Sequence, residues 1–319
     1  MILIVSHEAD PHAAGVMQAL ERLHHPAVLI DTAAFPSKAL LTQRFDGGHQ
    51  GYEFYLNGRA IDLSECRAGW WRRPQSYTLD PNLDAAAASF TYSECHEAIS
   101  GLWEALDLRW INPPVRDEAA HHKPYQLAAA GKVGLNVPRT VITNNPDAAR
   151  RFINEIGVER TVYKTFLATE QNWRETRIVR PEELAVLDSV RLAPVIFQEY
   201  IPAAADLRVT VVGDRIFAAA ICAAPGGYHV DYRMNLEEAS YAATEISSET
   251  EQLLLRLMQK LGLIYGAIDL RRTPDGREVF LEVNPAGEWL FVEERTGQPI
   301  TNAMAELLIQ FDRKKRRAK

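Results

Sequence analysis

The sequence predicts a mixed α/β (α+β) protein, and three observations carry the prediction. The chain opens strand–helix–strand over residues 1–31. It alternates short strands with helices through its middle, and it closes on two apolar alternating runs flanking Asp275-Gly276. The opening calls for a parallel sheet and the close for an antiparallel one. At 319 residues there is room for two or three domains. The composition, 47% hydrophobic and 24% charged, is that of a soluble globular protein, and a net charge of −7 argues against a general nucleic-acid binder.

In chain order, residues 1–6 predict a buried strand, too short and too poor in basic residues for a signal peptide. A helix over about 12–24 and a strand at 27–31 follow. Asp31 ends that strand where dinucleotide folds keep an acidic residue, but Ser6-His-Glu-Ala-Asp-Pro-His12 is no GxGxxG, which argues against a dinucleotide site. Residues 52–62 alternate around Asn57-Gly58 as a hairpin. A strand over 68–74 is stopped by Pro74, a helix covers 84–107, and Asn112-Pro-Pro114 marks a boundary. A helix over 117–131 carries Lys123, a strand lies at 139–142, and Asn145-Pro146 opens a helix reaching Gly157. Strands over 161–166 and 175–180 precede an acidic helix over 182–190, and a buried strand over 194–202 runs into a bend. Strands 206–212 and 215–222 turn at Gly213-Asp214. Next come a loop with Gly226-Gly227 and Asp231-Tyr-Arg233, a helix over about 248–261, the closing hairpin, and an amphipathic helix over about 299–316. Cys66, Cys95 and Cys222 show no metal spacing and are expected as buried thiols in a reducing cytoplasm. No stretch reaches the roughly 18 apolar residues of a membrane span. The cationic run Arg313-Lys-Lys-Arg-Arg-Ala-Lys319 is expected as a solvated helix end.

Asp-Gly favours a two-residue type I′ turn. Pro274 then faces Arg277, and counting back places Asp269 across from Glu282, with Asn284 on the same face. Ile268, Leu270, Leu281 and Val283 fill the other face. Opposed carboxylates repel, and a divalent cation would remove the conflict, because Asp, Glu and Asn offer the hard oxygens that Mg²⁺ takes beside nucleotide phosphates. A wet outer face is the alternative. Elsewhere Lys164 sits inside a strand and Lys123 on a helix. Glu199 lies in an apolar run where a carboxylate needs a partner. Asp206 and Arg208 share a strand face, as an ion pair or as something more.

The order of these features resembles the ATP-grasp superfamily in its RimK-like branch, over about 117–319, with the first lobe as a pre-grasp domain. Glu282-Val-Asn-Pro285 with Asp269 is the most specific element, and Gln198-Glu-Tyr-Ile201 the next. Within that branch Trp71-Arg-Arg-Pro74, Tyr163-Lys-Thr165, Asp206-Leu-Arg-Val209 and Asp231-Tyr-Arg233 resemble the graspetide synthetases, which macrocyclise ribosomal peptides. Two departures stand out: Tyr232 replaces the family's usual tryptophan, and the stretch 165–173 lacks the glycines of many ATP-grasp loops.

The resemblance implies an ATP-grasp fold divided into a pre-grasp domain (1–115), a central subdomain (116–196) and a C-terminal antiparallel subdomain (197–319). It implies ATP and two Mg²⁺ ions, held by Asp269, Glu282 and Asn284, with Lys123 and Lys164 on the phosphates. Gln198, Glu199, Tyr200 and Ile201 would read adenine through their backbone, and Asp206 the ribose. Arg208 would steady the transferring phosphate and Arg233 the acceptor carboxylate. Asp231, Glu182 and Glu183 fall on the substrate side, the last two docking a leader segment or simply forming a solvated helix start. The implied substrate is a ribosomal precursor peptide, leader plus core, whose Asp or Glu side chains are joined to hydroxyls or amines. The implied assembly is a cytoplasmic homodimer without nucleic-acid or membrane partners. A ligase adding an amino acid to a protein tail or small acid, and a non-catalytic nucleotide-binding regulator, are the other readings.

Overall fold

The computed structural model describes residues 1–166, 175–223, 230, 234 and 237–313. Strand β1 (Ile2–Val5) leads into α1 (Pro11–Arg22), which Asp10 caps by accepting from the His12 amide. Then come β2 (Ala27–Ile30), the antiparallel sheet β3 (Ala39–Asp46), β4 (His49–Leu56) and β5 (Arg59–Asp62), β6 (Ala68–Trp71), α2 (Ala85–Ala105) and β7 (Arg109–Ile111). The order β2-β1-β6-β7 is parallel throughout, as the opening predicts. Strand β3 was not expected.

Helices α3 (Pro114–His121) and α4 (Lys123–Val133) replace the single helix expected over 117–131. Pro124 is the reason, since it cannot donate to the Ala120 carbonyl and fits only in a first turn. The chain is extended at His122, and Lys123 opens α4. Next are β8 (Thr140–Thr143), α5 (Pro146–Ile156), β9 (Thr161–Lys164), β10 (Arg177–Ile178), a 3₁₀-helical segment (Pro181–Leu192) where an acidic helix was expected over 182–190, and β11 (Val195–Glu199). They form an antiparallel sheet ordered β10-β9-β11-β8, packed on α5 and the 3₁₀ segment through Ile153, Leu187 and Phe197.

The last sheet runs β14-β13-β12-β15-β16, antiparallel, from β12 (Ala205–Val212), β13 (Arg215–Cys222), β14 (Ser240–Thr244), β15 (Tyr265–Arg272) and β16 (Glu278–Asn284). Helix α6 (Ser248–Leu261) lies between β14 and β15 in sequence, and α7 (Leu290–Thr296) and α8 (Ile300–Arg313) follow β16. Strand β14 and helix α7 were not expected. Leu207, Val209, Ile268, Leu270, Phe280 and Val283 face α4 and α6. Met304 and Leu308 of α8 close a second core with Ile2, Ile4 and Trp70 of the parallel sheet. Cys66 and Cys95 are buried as expected, whereas Cys222, at the last position of β13, is exposed. Asp231-Tyr-Arg233, Gly226-Gly227, most of 165–173 and residues 314–319 lie outside the described residues.

The closing hairpin reaches its expected pairing by an unexpected route. Gly276 donates to the Thr273 carbonyl and Thr273 to that of Arg277, both at 2.9 Å, and within the turn only Gly276 has positive φ (+86°). The loop is therefore three residues long, Pro274-Asp275-Gly276, and not type I′. This sets Leu270 against Phe280, one step off the count. A β-bulge at Leu281 then restores Asp269 opposite Glu282. A bulge turns two successive side chains to one face, so Phe280 fills the core in place of Leu281, and Leu281 lines the cleft.

Candidate functional site

Asp269 on β15 and Glu282 and Asn284 on β16 converge at the floor of a cleft of about 1400 Å³. The Asn284 amide nitrogen lies 3.4 Å from both carboxylates. Each carboxylate also meets a cation: Glu282 ion-pairs with Lys123, and both Asp269 oxygens accept from Arg208 Nη1 at 2.9 and 3.1 Å. Lys123 is aimed by its own helix. One turn on, the Gln126 amide makes both backbone hydrogen bonds with Val283, at 2.8 and 3.0 Å, between Glu282 and Asn284. Among the described residues no three His, Cys, Asp or Glu side chains cluster as metal ligands, and beside Asp269 and Glu282 the Asn284 amide is the further hard oxygen available to a cation. Two carboxylates, an amide and no soft donor fit Mg²⁺.

Strands β12 and β15 add a ladder of buried charges. Asp206-Leu-Arg208 lies antiparallel to Asp269-Leu-Arg271, so each aspartate faces the other strand's arginine and the leucines meet in the core. Arg271 Nε donates to Asp206 at 2.8 Å, and its Nη1 holds the Ile201 carbonyl at 3.0 Å. The guanidinium lies 5.7 Å over the Tyr200 ring. Arg271 thus ties this ladder to the adenine candidates. Of those, Glu199 and Tyr200 already donate their backbone N–H to Arg139 and Arg160, and the Gln198 side chain donates to Thr140. Glu199 is half-buried with Arg160 at 3.8 Å. Lys164 lines the same cleft, so the structure brings together every predicted phosphate, metal and hinge residue that it describes. Arg233 and Asp231 lie outside the described residues. Glu182 and Glu183 do not line the cleft, and Glu183 accepts from the Tyr163 hydroxyl and the Arg180 amide.

Sequence reasoning missed the clamp on the loop after β16. Arg208 Nη2 donates to the Glu288 carbonyl at 2.8 Å, and the Tyr265 hydroxyl to that of Gly287 at 2.7 Å. From the first lobe, buried Arg72 donates to Ala286 and Gly287 and pairs with Asp10 at 3.0 Å, while Arg73 pairs with Glu288 at 2.9 Å. His12 Nε2 accepts the Trp289 and Leu290 amides at 3.0 and 3.3 Å. Burial raises Asp10, but His12, Arg72 and Ser6 together hold it far below the usual carboxylate range. Burial also depresses His12, which stays neutral as the lone-pair donor its contacts need. Asn112 binds Tyr265 and Pro285 through their backbone and donates to Asp117 at 3.3 Å. Burial pushes the Asp117 carboxyl up to about 6. Of all these, Arg72, Arg73, Arg208 and Pro285 stood in motifs that the sequence flagged, whereas Asp10, His12, Tyr265 and Asp117 did not.

The first 118 residues match the MvdD pre-ATP grasp domain, and residues 120–308 match the RimK-like ATP-grasp domain. The structure is similar to that of the macrocyclase MdnC from Microcystis aeruginosa MRC, bound with precursor peptide MdnA. The TM-score is 0.86 and the identity 32%, covering 97% of this chain and 99% of that one. It is similar also to a Chryseobacterium gregarium RiPP-associated ATP-grasp ligase in complex with ADP and a leader and core peptide, with TM-score 0.89 and 26% identity over 99% of each chain. A probable alpha-L-glutamate ligase of Klebsiella pneumoniae is 30% identical over 207 residues, 63% of this chain and 68% of that protein.

Proposed function

Because the chain belongs to the RimK-like ATP-grasp family, we propose that it is an ATP-dependent ligase of ribosomal peptides. It phosphorylates Asp or Glu side chains of a precursor peptide and joins them to Ser/Thr hydroxyls or Lys amines, releasing ADP and phosphate. The likeness to MdnC over nearly the whole of both chains, first lobe included, carries the reading. An ATP-grasp ligase described with minimal precursor, Mg and ADP, PsnB, is 26% identical over 98% of both chains at TM-score 0.80, which supports nucleotide and Mg²⁺ at the cleft.

In this proposal Asp269, Glu282 and Asn284 would hold two Mg²⁺ ions, which would supply charge neutralisation to the phosphates. Lys123 and Lys164 hold the phosphates, so Lys123 exchanges Glu282 for a phosphate oxygen. Arg208, anchored between Asp269 and the Glu288 carbonyl, offers a preorganised cation to the transferring phosphoryl group. Residues Gln198–Ile201 border the base, with Ile201 steadied by Arg271. Asp206 borders the ribose, and Arg233 orients the acceptor carboxylate. A leader segment docks outside the cleft near Glu182 and Glu183.

The test is mass spectrometry of the precursor peptide from a neighbouring reading frame, incubated with protein, ATP and Mg²⁺. Loss of one water per ring is expected. The curated relatives support a second reading, transfer of a glutamate to an acceptor, which would instead raise the acceptor mass. Arg233→Ala should abolish ring formation while ADP affinity, measured by calorimetry, holds. Equal loss of nucleotide affinity would refute that division of roles.

A further inference from the structure

We propose that His121 is the general base of the bond-forming step, taking the proton from the substrate hydroxyl or amine that attacks the activated carboxyl. The inference rests on the ligase reading and concerns its second half, where no described residue has yet been given a role toward the nucleophile.

His121 ends α3, two residues before Lys123, and α3 packs against β16. Its ring is 55% exposed in the cleft that holds Asp269, Glu282 and Asn284. Its Nδ1 lies 2.8 Å from the Asp117 backbone carbonyl. A carbonyl oxygen only accepts, so Nδ1 carries the proton and Nε2 keeps its lone pair. The same Nδ1 lies 3.5 Å from the Asp117 carboxylate, whose side chain is 5% exposed and held by Asn112. A proton arriving at Nε2 therefore makes an imidazolium that a buried, oriented carboxylate meets. Nucleophile–base–orienter geometry has this form in acyl transfer generally.

The other titratable groups on this wall lack that arrangement. Glu288 is paired with Arg73, and among the described residues no contact orients Glu118 or Glu104 as Asp117 orients His121. The His96 ring stacks on Tyr92 at 6.2 Å. The step balances without a further reactant. The nucleophile's oxygen or nitrogen bonds to the acyl carbon, and the C–O bond to phosphate breaks with its electron pair leaving on phosphate. The proton passes to His121 Nε2 and from there to solvent.

Hydroxylamine separates this step from activation, because it attacks acyl phosphates without a base. Wild type, His121→Gln and Asp117→Asn would be assayed with the precursor peptide, ATP and Mg²⁺, scoring rings by mass and hydroxamate with added hydroxylamine. His121→Gln should lower ring closure on the order of 100-fold while hydroxamate formation stays within about twofold. Imidazole should restore closure to His121→Ala. Asp117→Asn, a positioning change, should move the acidic limb of the ring-closure pH profile to lower pH, because a protonated His121 loses the carboxylate that faces it, with Arg72 and Glu118 the other charged groups near Asp117. Ring closure unchanged in His121→Gln, or lost together with hydroxamate, overturns the proposal. A wild type that makes neither product overturns the ligase reading, and this inference with it.

Discussion

Gly287 sets the tolerance of the cleft around Arg208. A Cβ there would stand 2.4 Å from the Ala267 Cβ and 3.1 Å from Arg208 Nη2. Gly287→Ala should therefore cost about 1–3 kcal/mol by overpacking and slow ring formation by displacing Arg208 from the Glu288 carbonyl. Ala267→Gly should recover part of both, measured by denaturant unfolding and by ring yield. If stability and rate are unchanged, the close approach does not govern Arg208. The cations around Asp269 and Glu282 belong to the same scale. Lys123 and Arg208 already satisfy Glu282 and Asp269, so a metal ion must compete with them unless phosphates draw them away.

At the scale of elements, the bulge gives neighbouring residues opposite fates. Phe280→Ala should cost about 3–5 kcal/mol as a core truncation, whereas Leu281→Ala should stay within about 0.5 kcal/mol yet weaken nucleotide binding. Equilibrium unfolding and ATP titration read both, and a hairpin without the bulge would reverse the order. The hairpin also shows how far the sequence could be read. Asp269, Glu282 and Asn284 were legible because period 2 is robust, although a longer turn and the bulge cancelled in the count. Lys123 was legible as a residue but not as the start of α4, for helical periodicity outweighed Pro124. The Asp-Leu-Arg ladder was there to be read, two identical triplets on antiparallel strands, but only the register of β12 against β15 makes them partners. The clamp of Asp10, His12 and Arg72 on residues 286–290 was not legible. It joins segments far apart in the chain, and no local period reports such a contact.

Across the molecule, that clamp ties the parallel sheet to the loop after β16 and so to the strands that carry Asp269, Glu282 and Asn284. His12 is depressed by burial, so the unfolded chain, near 6.5, takes up a proton before the native one does. Its contribution to stability is complete above about pH 6.5 and is lost as pH falls toward the native value. Asp10, also depressed, adds a further loss only below about pH 4. His12→Ala should cost about 1–3 kcal/mol, since the buried Trp289 amide and the half-buried Leu290 amide lose their acceptor, and should flatten the stability decline between pH 6.5 and 5. Urea unfolding across that range checks it, and an unchanged slope would place the proton elsewhere. Helix α8 has a consequence of another kind. Ile2, Ile4 and Trp70 precede Met304 and Leu308 in the chain, so during synthesis α1 covers them in part and α8 reaches them only much later. Part of the first lobe's apolar face therefore stays open to water until α8 has been translated.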